Sequence, residues 1–365
     1  MGAVMRAARL HEPNTPLRID EVRVPEPGHG EVLVKVHACG VVPNMVNIMR
    51  GGHWRTLPPL PAIMGLDTAG TVAKIGSGVE GVREGDRVYV NPVLSCGHCA
   101  YCRRGASPLL CDQGAFQGYF GFRPASLAML EKYPYGGYAE YTLAPAANLI
   151  ILSQKVSFEA AARFGYLGTA FAGLHAGAAK VGGNLAVVGA TGTLGICTML
   201  FAMAMGVARI IAVARNAERL EQIRQLAPDR IRLITLDGDL AARLRQETGG
   251  VGPELIMDCL ASSASSEITG QAIQGMMRGG TMVNIGALTE PLKLAPMQFM
   301  STGLAYRGST WFSNAQGLEM VALADSGLVD YDIFDHRSFA LEDVNQAMTL
   351  VAGNPGGLVN VIIKP

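Results

Sequence analysis

Asn184-Leu-Ala-Val-Val-Gly189-Ala-Thr-Gly192-Thr-Leu-Gly195 is the stretch that decides the fold. Leu185 to Val188 reads as a short apolar strand, the three glycines as a tight turn, and Thr193 to Met205 as an apolar helix. In that context the backbone amides and the helix N-terminus can hold a pyrophosphate. Gly192 allows close approach of such a ligand and Gly195 lets the helix pack on the strand. Ala190 stands at the first glycine of the strict G-x-G-x-x-G form, so the motif's weight comes from the strand, turn and helix around it.

Working outward, the next units repeat the alternation, with a strand at Arg209 to Ala214 and a helix at Ala217 to Leu226. Alternation over about Val156 to Gly308 predicts a parallel, doubly wound α/β sheet. Met1 to about Pro145 instead shows short β-type runs, such as Glu31 to Ala38 and Asp86 to Val90, punctuated by Gly and Pro, and reads as a β-rich domain. Beyond Trp311 the sequence predicts helices at Asn314 to Ser326 and Leu341 to Ala352 and a strand at Leu358 to Ile363, with no sheet of their own. Gln113 to Tyr135, with glycines and aromatics interleaved, reads as a long loop. Two domains suit the 365 residues, with expected segments 1–155, 156–310 and 311–365.

The second strand of the alternating region ends Val213-Ala214-Arg215-Asn216. No carboxylate stands there to accept from ribose hydroxyls, whereas Arg215, with Arg219 one turn on, suits a 2′-phosphate. NADP(H) is the favoured cofactor. NAD is the alternative, with Arg215 then stacked on the adenine.

Of seven cysteines, Cys96, Cys99, Cys102 and Cys111 form one cluster, and Cys39, Cys197 and Cys259 stand singly. Four thiolates at this spacing can close a tetrahedron around one structural Zn²⁺, in a lobe spanning about 91–113. An iron–sulfur cluster lacks its usual tight fourth ligand followed by proline, and redox disulfides are the remaining alternative.

Composition narrows the partner. Apolar content of 49% against 16% charged describes a core-rich chain, and 30 basic residues balance 30 acidic ones with no dense basic run. That argues against nucleic acid and for a small molecule. Met1 to Arg9 has no apolar signal region, and Ile196 to Ala208 is too short to span a bilayer, so no membrane role and a cytoplasmic location are expected.

Taken in order, Gly65-x-Asp67-x-x-Gly70 with Thr71 and Val72, Gly85-Asp86-Arg87-Val88, the four-cysteine lobe, Gly136-Gly137-Tyr138-Ala139-Glu140-Tyr141 and the Gly189 to Gly195 turn resemble the medium-chain dehydrogenase/reductase superfamily, in its zinc alcohol dehydrogenase branch. The resemblance covers nearly the whole chain. It implies a GroES-like catalytic domain built from both chain ends, a Rossmann domain between, and a homodimer or homotetramer. It also implies cofactor contacts from Thr169, Gly189, Thr191, Gly192, Thr193, Leu194, Gly195, Arg215, Asn216, Gly286 and Ala287.

The departures bear on chemistry. Family members with a catalytic zinc carry a cysteine where this chain has Val42 and a histidine where it has Leu66, and their third ligand falls at or near Tyr166. A relocated site would need Cys39, His53, Asp67 or His37 to converge; a small buried core residue is the plainer reading of Cys39. The lobe has eight residues rather than seven between its last two cysteines.

Without a polarising metal, hydride addition to the β-carbon of a conjugated carbonyl is favoured over simple alcohol oxidation, because a few hydrogen-bond donors can stabilise the enolate. Zinc-free quinone and enoyl reductases of the superfamily work this way. Asn44 and Asn47, where the family keeps its proton-relay groups, and Tyr166 are the candidate donors. Asp67 keeps the carboxylate that stands behind the metal in relatives, or is a satisfied turn residue. The proton would come from solvent or from Tyr119, Tyr133 or Tyr135. Val42, Trp54, Leu66 and Tyr166 suit a bulky apolar or aromatic substrate. Interconversion of a bulky secondary alcohol and its ketone, and a non-catalytic nicotinamide-binding role, are the competing readings.

Overall fold

A computed structural model describes residues 2–51 and 55–365. Two candidate residues, His53 and Trp54, lie outside them. The chain forms two units, one of Met1–Gly165, Ser313–Pro355 and Val359–Pro365, the other of Tyr166–Phe312 and Gly356–Leu358.

The second unit is a six-stranded, wholly parallel sheet in the order Ile231–Thr235, Arg209–Ala214, Asn184–Val188, Leu255–Asp258, Thr281–Asn284, Ala305–Gly308. Numbered along the chain this is 3-2-1-4-5-6, the doubly wound order of a Rossmann domain, which places the Gly189 turn where strand order reverses. Leu185–Val188 are buried throughout, as a strand covered by helices on both faces requires. The helix Thr193–Ala204 buries every residue from Gly195 to Ala202, and so is apolar all round.

In the first unit the main sheet runs Leu149–Ile151, Arg87–Val90, Asp67–Ile75, Glu31–Gly40, Val359–Lys364, Asp335–Ala340, with Tyr141–Pro145 also paired to Glu31–Gly40. Chain-end strands thus complete a sheet begun at the N-terminus, Ile363 lying opposite Cys39. The α/β class, with a GroES-like and a Rossmann part, is the one read from sequence. The first unit runs past the expected residue 155 to Gly165 because Ser157 caps a further short helix, Phe158–Ala161, accepting from the Ala160 amide at 3.1 Å.

Gln113 to Tyr135 is not the loop expected. It holds the strands Ala115–Phe116 and Phe120–Gly121, a 3-10 turn at Pro124–Ser126 and the helix Leu127–Lys132. Its aromatics organise it: Phe116 packs edge-on against Phe120 and Phe122, and Arg55 sits 4.4 Å over the Phe120 ring. Elements this short give little periodic signal. Among the described residues no helix is long and apolar enough to cross a membrane.

Candidate active site and structural zinc lobe

The four lobe cysteines converge, their sulfurs all within 4.8 Å of one another. Cys99 to Cys102 and Cys96 to Cys111 are each 3.6 Å, and Cys99 to Cys111 is 4.0 Å. A tetrahedron with Zn–S bonds of about 2.3 Å has edges of roughly 3.8 Å, so the set fits zinc. The amides of Cys96 and Cys99 point at the sulfurs of Cys111 and Cys96. Backbone amides of Asp112 and Cys102 bring the Cys99 thiol down to about 6, whereas burial pushes Cys111 up. A divalent cation offsets the cost of ionising the rest. All four are free thiols in this structure. The extra residue before Cys111 is absorbed in a 3-10 turn, Pro108–Leu110.

A second cluster surrounds the positions that the family resemblance marks for a catalytic metal. Val42 and Leu66 are 5% and 4% exposed, and neither has a donor atom. Asp67, 1% exposed, opens a strand rather than a turn. Its Oδ1 accepts from the Tyr89 hydroxyl at 2.7 Å and the Gly165 amide at 2.9 Å, while its Oδ2 has no partner among the described residues. Burial raises this carboxyl to about 7, against the opposing pull of Tyr89, Gly165 and the Arg163 charge. Cys39 is buried beside Thr68, 3.8 Å from its hydroxyl, and burial pushes its thiol well up. His37 binds Thr71 at 3.1 Å and stacks on Phe158. Among the described residues Cys39, His37 and Asp67 therefore do not assemble a second ligand group.

Asn44 precedes the short helix Met45–Met49 but does not cap it with its side chain. That side chain instead accepts from Asn47 Nδ2 at 3.2 Å, and Asn44 acts to bring the Tyr119 phenol down. Tyr119 is buried, with the charges of Arg55 and Asp67 both felt at its phenol. Burial pushes that phenol up, and Asn44 and Arg55 act against it. Glycine makes the convergence possible. The Gly65 amide donates to the Gly118 carbonyl at 3.0 Å, and Gly65, at φ 116°, would carry a Cβ only 2.6 Å from the Tyr138 amide. So the segment bearing Tyr119 lies directly against the one bearing Leu66 and Asp67. Of the other candidate tyrosines, Tyr133 packs with Leu94 and Leu130, and Tyr135 with Met5 and Ala139. Tyr166 is half-buried at the start of the second unit, on the helix Phe164–Ala176.

Apart from Thr169, on the helix Phe164–Ala176, the cofactor candidates lie at or just beyond the C-terminal ends of the parallel strands. Gly192 precedes the helix Thr193–Ala204 with no side-chain cap, and the N-terminus of such a helix favours an anion. A Cβ on Gly195 would lie 2.5 Å from the Gly189 carbonyl, so only glycine lets this helix start so close to the strand. The turn thus fits a dinucleotide pyrophosphate. Arg215 is exposed at the end of the next strand; Asn216 caps the following helix, accepting from the Arg219 amide at 2.8 Å. Thr169 bonds the Thr310 carbonyl at 3.3 Å. The Gly286 and Ala287 amides are already engaged by Asp258 and Leu260 carbonyls, so any cofactor contact there is by close approach or through their carbonyls.

Two family models match this chain, an alcohol dehydrogenase GroES-like domain over residues 28–154 and a zinc-binding dehydrogenase domain over 193–326. An alcohol dehydrogenase of Geobacillus stearothermophilus is 32% identical over 89% of this chain and 90% of its own length. The chain belongs to the zinc-type alcohol dehydrogenase family. An NAD-dependent alcohol dehydrogenase of Sulfurisphaera tokodaii is 28% identical, over 94% of this chain and 95% of its own. The structure of a thermostable alcohol dehydrogenase from Pyrobaculum aerophilum superposes with TM-score 0.80 at 27% identity, both chains covered completely. Membership makes this dehydrogenase an oxidoreductase, which removes the non-catalytic reading. Sequence reasoning did not single out Arg55, and nothing in the sequence separates Tyr119 from the other tyrosines; the pairing with Asn44 arises from contacts 75 positions apart.

Proposed function

We propose that this dehydrogenase uses NADP(H) and reduces the conjugated C=C bond of a bulky apolar or aromatic enone or enal, with no metal at the reacting carbonyl. The observation that carries this reading is the pair Val42 and Leu66, buried and without donor atoms where metal-dependent relatives carry cysteine and histidine. The bound nicotinamide supplies the hydride to the β-carbon. Asn44 and Asn47 hold the substrate oxygen as negative charge develops on it. Tyr119 gives its phenolic proton to the α-carbon as the enolate collapses, the nearby Arg55 charge favours the phenolate left behind, and solvent restores the proton. Asp67, raised by burial and tied to Tyr89, holds this corner rather than taking part. Arg215 at the tip of its strand favours the 2′-phosphate.

The relatives' names favour a second reading, interconversion of a secondary alcohol and a ketone, in which the same donors bind the carbonyl oxygen. The two separate by product. With deuterated NADPH and an enone, the first reading gives a saturated ketone labelled at the β-carbon; an allylic alcohol labelled at the carbonyl carbon would establish the second. Tyr119→Phe is expected to lower kcat by about 100-fold or more, with NADPH affinity unchanged. An undiminished kcat removes Tyr119 as the proton source.

A further inference from the structure

The strand Phe120–Gly121 carries a cation on its flank. Thr56 and Gly121 form an antiparallel bridge in which each amide donates to the other's carbonyl, at 3.0 and 2.8 Å, and the Thr56 hydroxyl donates to the Arg123 carbonyl at 2.9 Å. A Cβ on Gly121 would stand 2.3 Å from Ser126 Cβ and 3.3 Å from Thr56 Cβ, so only glycine lets these segments lie so close. Arg55 is thereby delivered onto a fixed surface. Its guanidinium carbon lies 4.4 Å from the centroid of the Phe120 ring, and that ring is itself set edge-on against Phe116 and Phe122. A guanidinium seated on an aromatic face directs its N–H donors outward, in its own plane.

Tyr119 precedes Phe120, and their ring centroids are 4.6 Å apart. Burial lowers Arg55 and the Tyr119 phenol acts the other way, while that phenol, pushed up by burial, is drawn down by Asn44 and Arg55. The cation therefore borders the corner at which Asn44 and Tyr119 face the substrate of the proposed reaction. A half-buried positive charge beside hydrogen-bond donors is a place for an anion. One guanidinium matches one carboxylate, whose two oxygens meet its fork, whereas a phosphate dianion wants a second cation and Asp67, the other charge felt at Tyr119, is acidic. Val42, Leu66, Tyr119 and Phe120 are buried and mostly apolar.

We propose that Arg55 is a specificity residue that pairs with a carboxylate on the substrate, so that the substrate is an unsaturated carbonyl compound with an apolar body and one acid group. The subsite rests on the proposed reaction only in that Asn44 and Tyr119 face the substrate; which bond is reduced does not enter.

Calorimetric titration of the protein saturated with NADP⁺ or NAD⁺ tests the subsite, because a ketone takes no hydride in that complex. The probes are β-benzoylpropionate and para-acetylbenzoate, each against its methyl ester. At least one acid is expected to bind roughly tenfold or more tightly than its ester. Arg55→Gln is expected to bring acid and ester within about twofold of each other, and Arg55→Lys to restore part of the preference. Arg55→Met, whose stem still covers the Phe120 ring, takes the place of Arg55→Gln if that variant does not fold. Equal binding of acid and ester in both wild-type pairs would overturn the subsite. So would an acid preference that survives removal of the guanidinium, since a merely structural arginine lowers acid and ester together and leaves their ratio unchanged. The conjugate-reduction reading fails separately: deuterium delivered to the carbonyl carbon would overturn it and leave the Arg55 subsite standing.

Discussion

The first unit has two places at which family resemblance leads one to look for zinc, and they differ in kind. In the lobe, four sulfurs stand 3.6–4.0 Å apart in the pairs nearest one another, with two backbone amides aimed at them. At Val42 and Leu66 the side chains are apolar and buried, and Asp67 beside them is engaged by Tyr89 and Gly165. The lobe is made of two-residue strands and short helical turns over a small core of Leu94, Ala115, Met129, Leu130 and Tyr133. It has too little apolar burial to hold itself, so its ligand set is tied to folding. The other place is tied to chemistry, where positioned hydrogen-bond donors can replace a Lewis acid for a suitable reaction. A ligand set that serves the fold resists substitution more than one that serves a replaceable step.

The largest effect that would sharpen this contrast is on the lobe. Cys99→Ser leaves three thiolates and is expected to destabilise the protein by more than about 3 kcal/mol, seen as early thermal unfolding and loss of bound zinc together. Turnover lost in a Cys99→Ser protein that stays folded and zinc-replete would break the contrast from the structural side.

Next in size is the cofactor preference. Arg215→Ala removes a charge-assisted contact and is expected to weaken NADPH by about 1.5–3 kcal/mol while sparing NADH, measured by fluorescence titration. A wild type with equal affinity for the two would contradict the preference directly.

A further effect belongs to Asp67 and concerns pH. Its carboxyl is raised to about 7 in the folded protein, against about 3.9 in the unfolded chain. Between those values the folded state binds more protons than the unfolded one, so stability falls as pH rises from about 4 to about 7, then levels off. Asp67→Asn cannot ionise and still accepts from Tyr89. Its unfolding midpoint should come closest to the wild type below about pH 4 and exceed it most near pH 8. A constant gap at all pH values would show that Asp67 is ionised throughout.

Legibility in the sequence followed the length over which a physical pattern repeats. The strands Asn184–Val188 and Arg209–Ala214 lie at the residues their apolar runs indicate, because a parallel strand covered on both faces must be continuously apolar. The cysteine spacing named its own site for a similar reason: four soft ligands at close spacing have few other uses. The segment 113–135 was misread as a loop because two-residue strands and an aromatic cluster leave no period to detect. Of the two readings of Asp67, the turn residue fails because Asp67 opens the strand Asp67–Ile75, and the nearby Gly65 and Gly70 serve close packing of segments. Gly357 and Thr191 lie 166 positions apart, a contact that no local pattern encodes.

The most direct test of the contrast between the two places is metal content measured together with activity. Elemental analysis is expected to give one zinc per chain, and a chelator added at assay should leave initial NADPH-dependent rates unchanged until circular dichroism shows the fold loosening. Two zinc ions per chain, or rapid loss of activity on chelation with the fold and oligomer size intact, would show that a metal acts at the reacting centre after all.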